Sequence, residues 1–258
     1  AKRIVEFYLD GVKKDQKAVE LPPGGQSEVS FLTPPRLKEG RIYRAEVRIT
    51  GAPDPLAFDD RRFLTFEVRP ALKVLLISDR IEEDAWYVAA ALNPEPAPGA
   101  PRSFDLEILR PAEVAPRYRD GLRNLAAVFL LNVASLDDAS WGLLNAYVHE
   151  GGGLVVGLGD RCAPAGYNGP MQLGEQVAPP GKGTTFGKIA DVTHPLFSPY
   201  AAEFDAQFAV MPVYRYWKLQ APTGGGGRTL LTFADGAPAL VERTFKGPRT
   251  GRVLLWAT

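Results

Sequence analysis

The chain is short of the residues from which most active sites are built. Its 258 residues include one cysteine, Cys162, and two histidines, His149 and His194. One cysteine excludes an internal disulfide, and a thiol-poor chain fits the cytoplasm as well as an exported compartment. Two separated histidines and one cysteine offer no zinc-ligand spacing. Asp59 and Asp60 supply too few organised oxygens for a calcium loop and read as a surface turn between strands. No metal or cofactor is expected. The apolar segment 73–78 is not followed by G-x-G-x-x-G, and G-x-x-x-x-G-K-[ST] occurs nowhere, which sets dinucleotide and P-loop chemistry aside.

Charge of one sign is also lacking. Thirty basic residues balance thirty acidic ones, so no global field draws in nucleic acid or an anionic membrane. The longest nearly apolar run, "LAAVFLLNVA" at 125–134, is about half of the ~20 residues that span a bilayer, and it reads as a buried strand. What is present is an ordinary globular composition, 45% hydrophobic and 23% charged, with enough length for two domains. The chain starts without methionine and stops inside a strand-like segment, so it reads as a piece of something longer.

Residues 1–70 predict an all-β domain. Strand-like segments at 3–9, 17–21, 27–33, 41–50 and 61–69 are separated by Asp10-Gly11, Pro22 to Gly25, Pro34-Pro35, Gly40 and Pro53 to Pro55, a spacing that suits a β-sandwich of the immunoglobulin-like type, with a first strand upstream. From 71 to 258 strands alternate with helices. Buried runs at 73–78, 104–109, 126–132 and 154–158 frame helices at 82–93 and 135–150, the second with Ser135 as N-cap and Gly151 to Gly153 as its stop. This order predicts an α/β flavodoxin-like domain with a parallel sheet covered on both faces. Further strands are expected at 184–190, 207–219, 228–234, 239–245 and 252–257, with Asp235-Gly236 as a turn. The glycine run 224–227 precedes no helix and is no phosphate cradle.

In open parallel sheets, ligands sit beyond the carboxyl ends of the strands, here at Ser78 and Asp79, at Asn132, and at Gly159 to Cys162. A nucleophile elbow has the form G-x-(nucleophile)-x-G. In "GLGDRC", residues 157–162, glycine stands at the nucleophile position, arginine at the second glycine, and Cys162 comes three residues late. Cys162 therefore reads as a buried structural thiol, and His194, in "DVTHPLF", as a loop residue bonded to backbone. His149, near a helix C-terminus, complements the helix dipole. Tyr214, Tyr216 and Trp217 read as one strand's packing surface.

The segments "VEFYLDGVKKDQKAVELPPGGQSEVSF", "GRIYRAEVRITGAPDPLAFDDRRFLTFEV", "KVLLISD", "YVHEGGGLVVGLGDR", the "YN" at 167–168, "THPLF" and "ADGAPALVERTF…GRVLLWAT" resemble large bacterial, planctomycete-type membrane-anchored proteins of the BatA-like, von Willebrand factor A-associated kind. In these an immunoglobulin-like module precedes a class I glutamine amidotransferase-like domain, between membrane segments that lie outside this chain. The resemblance implies a cysteine in a G-x-C-x-G turn and a later H-x-E pair. Gly159 replaces the first, and neither His194-Pro195-Leu196 nor His149-Glu150-Gly151 supplies the second. The D-x-S-x-S adhesion motif of the A domain is absent.

The expected function is therefore a non-catalytic, extracytoplasmic interaction or assembly module with protein partners at the cell envelope, a pseudoenzyme that binds no nucleic acid. One alternative is a divergent cysteine hydrolase using Cys162 and His194, its thiolate favoured by Arg161. Another is a small-molecule or sugar sensor whose ligand meets Asp79, Asn132, Gly159, Asp160, Arg161, Tyr167 and Asn168 in the strand-end cleft.

Overall fold

A computed structural model describes residues 2–22, 24–32, 37–51, 56, 58–94, 102–167, 177–180, 184–219, 221–222 and 226–258. They form two units, one within residues 1–71 and one from Leu72 to the end.

The first unit is a four-stranded antiparallel sheet of β1 (Lys2–Leu9), β2 (Val12–Glu20), β3 (Ile42–Gly51) and β4 (Arg61–Glu67), in the order β2-β1-β3-β4. The β1–β2 hairpin turns at Asp10 and Gly11, both at positive φ (48° and 79°), the pair of left-handed residues that a two-residue hairpin needs. Asp10 also accepts from the Arg44 backbone N–H and from Arg41. Alternation places Phe7, Leu9, Tyr43 and Ala45 on one face as a small core. The opposite face is polar: Lys13 pairs with Glu6, Arg48 with Glu46, and the Arg48 guanidinium lies 4.0 Å from the Tyr8 ring centroid.

This is the expected all-β unit with a difference. Residues 27–32 form no strand. They are held by side chains instead, Phe31 stacking on Phe7 at 5.4 Å and Lys17 reaching the Ser30 carbonyl, because their alternation was satisfied by packing rather than by a ladder. Among the described residues the unit has one sheet, and a second sandwich layer is not among them.

The second unit carries an eight-stranded sheet. Five strands are parallel: β5 (Leu72–Ser78), β6 (Phe104–Leu109), β7 (Ala127–Leu131), β8 (Gly153–Gly157) and β14 (Gly251–Trp256), in the order β6-β5-β7-β8-β14. Counted along this unit the order is 2-1-3-4-5, that of flavodoxin-like sheets. Three antiparallel strands extend it past β14: β13 (Pro238–Phe245), β12 (Gly227–Phe233) and β10 (Gly187–Ile189). The sheet is therefore parallel on one side and antiparallel on the other. A separate pair joins β9 (Val177–Pro180) to β11 (Trp217–Leu219).

Both faces of the parallel part are buried, which explains the continuous apolar runs. Val74 and Leu76 face α1 (Trp86–Leu92), through Val88, Ala89 and Leu92. Leu75 and Ile77 face the other way, into the large core with Val128, Leu130, Leu154 and Val156. Over that core lies the longest helix. Short turns at Val114–Arg117 (α2) and Pro164–Tyr167 (α4) flank this helix, Asp138–His149 (α3).

Three local expectations change. Asp137, not Ser135, caps α3, its carboxylate accepting from Ser140 N at 2.7 Å. The segment 81–85 makes a π turn before α1, so the helix starts late. The strand expected at 207–219 is mostly not one: Ala201–Val210 is a helix, α5, and only Trp217–Leu219 pairs. Phe204 and Phe208, four residues apart, stack at 6.2 Å on one side of α5, and that helical spacing outweighed the β-prone sequence that follows. Tyr214 is thus outside any strand and exposed, while Tyr216 and Trp217 are buried.

Candidate functional site

The strand order reverses between β5 and β7, and the residues just past the carboxyl ends of β5, β7 and β8 converge there. From β5 come Ser78, Asp79 and Arg80; from β7, Asn132; from β8, Gly159, Asp160, Arg161 and Cys162. The structure brings together every candidate of the strand-end set except Asn168, which lies outside the described residues.

Asn132 is the hub. Its backbone is left-handed, φ 49°, a conformation that asparagine tolerates better than most residues. Its amide Nδ2 donates to Asp160 Oδ1 at 2.7 Å and to Asp84 Oδ2 at 3.2 Å, and its Oδ1 accepts from the Arg161 backbone N–H at 3.0 Å. Arg80 closes the ring from above. Its Nη2 meets Asp160 Oδ1 at 2.8 Å, Nε meets Asp84 Oδ2 at 3.1 Å, and Nη1 meets Glu83 Oε2 at 3.0 Å. The Asn132 amide above all, and then the Arg80 charge, hold the Asp160 carboxyl below the usual carboxylate range.

Asp79 works one step away. Its carboxylate accepts from Ala134 N at 3.1 Å and faces Arg161 Nε at 3.7 Å, and its carbonyl accepts from Arg110 at 3.3 Å. Arg80, Asp84 and Arg110 were missed in the sequence. The Arg80/Asp84 pair at i,i+4 spacing just after a strand was the available signal.

Cys162 is buried and turned inward. Its thiol donates to Tyr167 Oη at 3.3 Å, its sulfur accepts from Gly159 N at 3.3 Å, and the Tyr167 hydroxyl donates in turn to the Val133 carbonyl at 2.5 Å. Burial pushes the thiol pKa up, and it pushes the Tyr167 phenol up further. Arg161, expected to favour a thiolate, instead directs its guanidinium at Asp79.

Glycine at the nucleophile position leaves room for the Asn132 side chain, which any larger residue would have to displace. A β-carbon there would lie 2.3 Å from Asn132 Cγ and from its Oδ1. The Gly159 carbonyl accepts from Trp217 Nε1 at 2.9 Å.

His194 does not join this group. It is buried against β13, its Nδ1 accepting from Leu196 N at 3.2 Å and its Nε2 lying 3.3 Å from Glu242 Oε2. Both nitrogens are engaged, and β14 stands between β13 and β8. The arrangement thus pairs the thiol with a neutral phenol and leaves its proton in place. His149 is exposed at the end of α3, edge-on to Phe245. Among the described residues no three of His, Cys, Asp and Glu are grouped to hold a metal ion.

Beside the cluster, a pocket of about 170 Å³ is lined by Leu158, Gly159, Asp160, Tyr216 and Trp217. It shares Arg215 and Thr258 with an apolar pocket of about 510 Å³ formed by Phe208, Met211, Val213, Leu231, Phe233 and Trp256.

No protein-family model matches the chain, and no curated protein matches it. Among solved structures, it is similar to a ThuA-like protein from Bacteroides uniformis at 12% identity and a TM-score of 0.49, with 72% of this chain and 80% of that one covered. It is also similar to the cold-adapted β-galactosidase from Rahnella sp. R3, at 14% identity and a TM-score of 0.44, and to the β-galactosidase from Bacillus circulans sp. alkalophilus, at 13% and 0.41. The chain spans 29% and 28% of the lengths of those two enzymes, with 73% and 72% of itself aligned.

Proposed function

We propose that the larger unit is a non-catalytic interaction or assembly module on an amidotransferase-like fold. In this reading the smaller unit is immunoglobulin-like, and the chain is an extracytoplasmic part of a membrane-anchored protein that meets protein partners at the cell envelope. The supporting observation is the strand-end cluster. Its charged and polar groups are spent on one another, tying the ends of β5, β7 and β8 together. Gly159 stands where a nucleophile belongs, and the only thiol is buried on Tyr167. A preorganised polar network of this kind serves rigidity, whereas a reactive cysteine needs an exposed, electropositive setting.

The test is hydrolysis of glutamine and of p-nitrophenyl acetate by the wild-type chain and by Cys162→Ala. Equal, background rates are expected. Turnover that disappears in Cys162→Ala would establish the cysteine hydrolase instead.

A second reading, a small-molecule sensor, is favoured by the 510 Å³ apolar pocket and not by the cluster first considered for it. Its ligand would present an apolar face to Trp256 and Phe208. A thermal-shift screen of small molecules decides this, because hits at that pocket must vanish in Phe208→Arg.

A further inference from the structure

The two edges of the smaller sheet are not equivalent. β2 carries Lys13, Lys14 and Lys17, charges of the kind that protect an edge from pairing. β4, "RRFLTFE", carries its charges, Arg61, Arg62 and Glu67, at its ends and is apolar and open in the middle: Phe63 is 60% exposed and Leu64 64%.

The bonding phase of β4 follows from two backbone bonds. Ile49 N donates to Asp60 O at 2.8 Å and Val68 N to Arg41 O at 3.0 Å. With the β3–β4 register, even-numbered residues of β4 therefore bond inward to β3. The odd-numbered ones, Arg61, Phe63, Thr65 and Glu67, turn their N–H and C=O groups outward. Among the described residues those groups have one partner, the Arg62 guanidinium on the Arg61 carbonyl at 3.3 Å, an exposed contact.

We infer that β4 is a self-pairing edge that joins two copies of this chain across a twofold axis at Leu64. Antiparallel pairing centred there sets Arg61 opposite Glu67 of the second copy, Arg62 opposite Phe66, and Phe63 opposite Thr65. Just outside the strand it sets Asp59 opposite Arg69. The bonding phase agrees, because Arg61/Glu67 and Phe63/Thr65 are then the pairs that exchange both backbone bonds. Moving the centre by one residue either way fails. Centred on Phe63, Glu67 would face Asp59; centred on Thr65, Arg61 would face Arg69. Like charges directly opposite are destabilising, so charge selects one register. Arg69, which holds its own Glu67 at 2.9 Å across an exposed surface, is freed to meet Asp59 of the second copy. The product is one continuous eight-stranded sheet with an isologous interface. This inference is independent of the reading of the strand-end cluster.

Sedimentation equilibrium of the whole chain tests it. A weak pair is expected, with Kd on the order of 10–100 μM for an interface smaller than the ~1,200 Å² of stable complexes. Thr65→Pro removes an outward N–H and spares the inner ladder, so it should leave a folded monomer. Arg61→Glu and Glu67→Arg should each weaken pairing by about tenfold, and the double reversal should restore it. The charge variants keep the test alive if Thr65→Pro misfolds. A wild-type chain that stays monomeric to ~1 mM, or a dimer that none of these changes affects, overturns the proposal. A dimer lost in the single reversals and not regained in the double one overturns the register.

Discussion

A β-carbon on residue 159 would lie 2.3 Å from Asn132 Cγ, so Gly159 and Asn132 exclude a side chain at the position where a nucleophile elbow carries its reactive group. The space is used by the asparagine that bridges Asp84 and Asp160.

Gly159→Cys, which writes the missing nucleophile back into the turn, should therefore destabilise the chain by about 1–3 kcal/mol, the usual range for overpacking. It should generate no glutaminase activity. Asn132→Gly in the same chain should recover part of the packing loss. Urea unfolding of the two variants beside the wild type measures this, and a Gly159→Cys chain as stable as the wild type would refute the steric account.

Cys162 should behave as an inert thiol. Its pKa is raised by burial, so the unfolded chain loses the proton first, near the ordinary thiol value of ~8.5, while the folded chain keeps it. Stability from this group is thus complete below that pH and is lost as pH rises through the folded value. The iodoacetamide rate should stay low at neutral pH. The melting temperature of the wild type should fall toward that of Cys162→Ala as pH rises from about 8 to 10.

The Asp160 carboxyl behaves in the opposite sense. Held low mainly by the Asn132 amide and further by Arg80, it stabilises the fold above its unfolded pKa of ~3.9 and ceases to do so as pH falls through the lower folded value. Asp160→Asn should cost stability at pH 6, modestly because the carboxylate is more than half exposed, and progressively less toward pH 2.5. Urea midpoints across that interval give the comparison; a constant difference would refute the assignment.

His194 and Glu242 form a buried pair away from the strand ends, with Arg252 3.7 Å from the other Glu242 oxygen. His194→Leu leaves the buried Glu242 carboxylate without its polar neighbour and should cost about 2–4 kcal/mol. His194→Gln, which keeps an N–H, should cost less. Equal losses in denaturant melts would show that the contact with Glu242 is not what His194 supplies.

Much of this was legible in the chain because its signals are local. A period of two marked β1, β3 and β4, continuous apolar runs marked β5 to β8, and Asp235-Gly236 marked the β12–β13 turn, where Gly236 takes a φ of 82°. The misplacement of a nucleophile around Gly159 and the convergence of Asp79, Asn132 and Asp160 also followed, because residues past parallel strand ends must share one edge of the sheet. The segment 207–219 failed because its β-prone residues sit beside a helix fixed by Phe204 and Phe208. Residues 27–32 failed because alternation records one packed face and says nothing about whether a neighbouring strand exists.

By itself, then, the sequence determined most of the elements, the alternation of strand and helix in the parallel core and the absence of a nucleophile at the turn, all set by spacing over a few residues. Tertiary structure alone decided that Arg80 meets Asp160, eighty positions along the chain, that Tyr167 accepts the hydrogen bond of the Cys162 thiol, and that β14 lies between β8 and β13. Those contacts depend on which strands become neighbours. That choice is made by burying both faces of one sheet at once, a property of the whole core that no short window of residues contains.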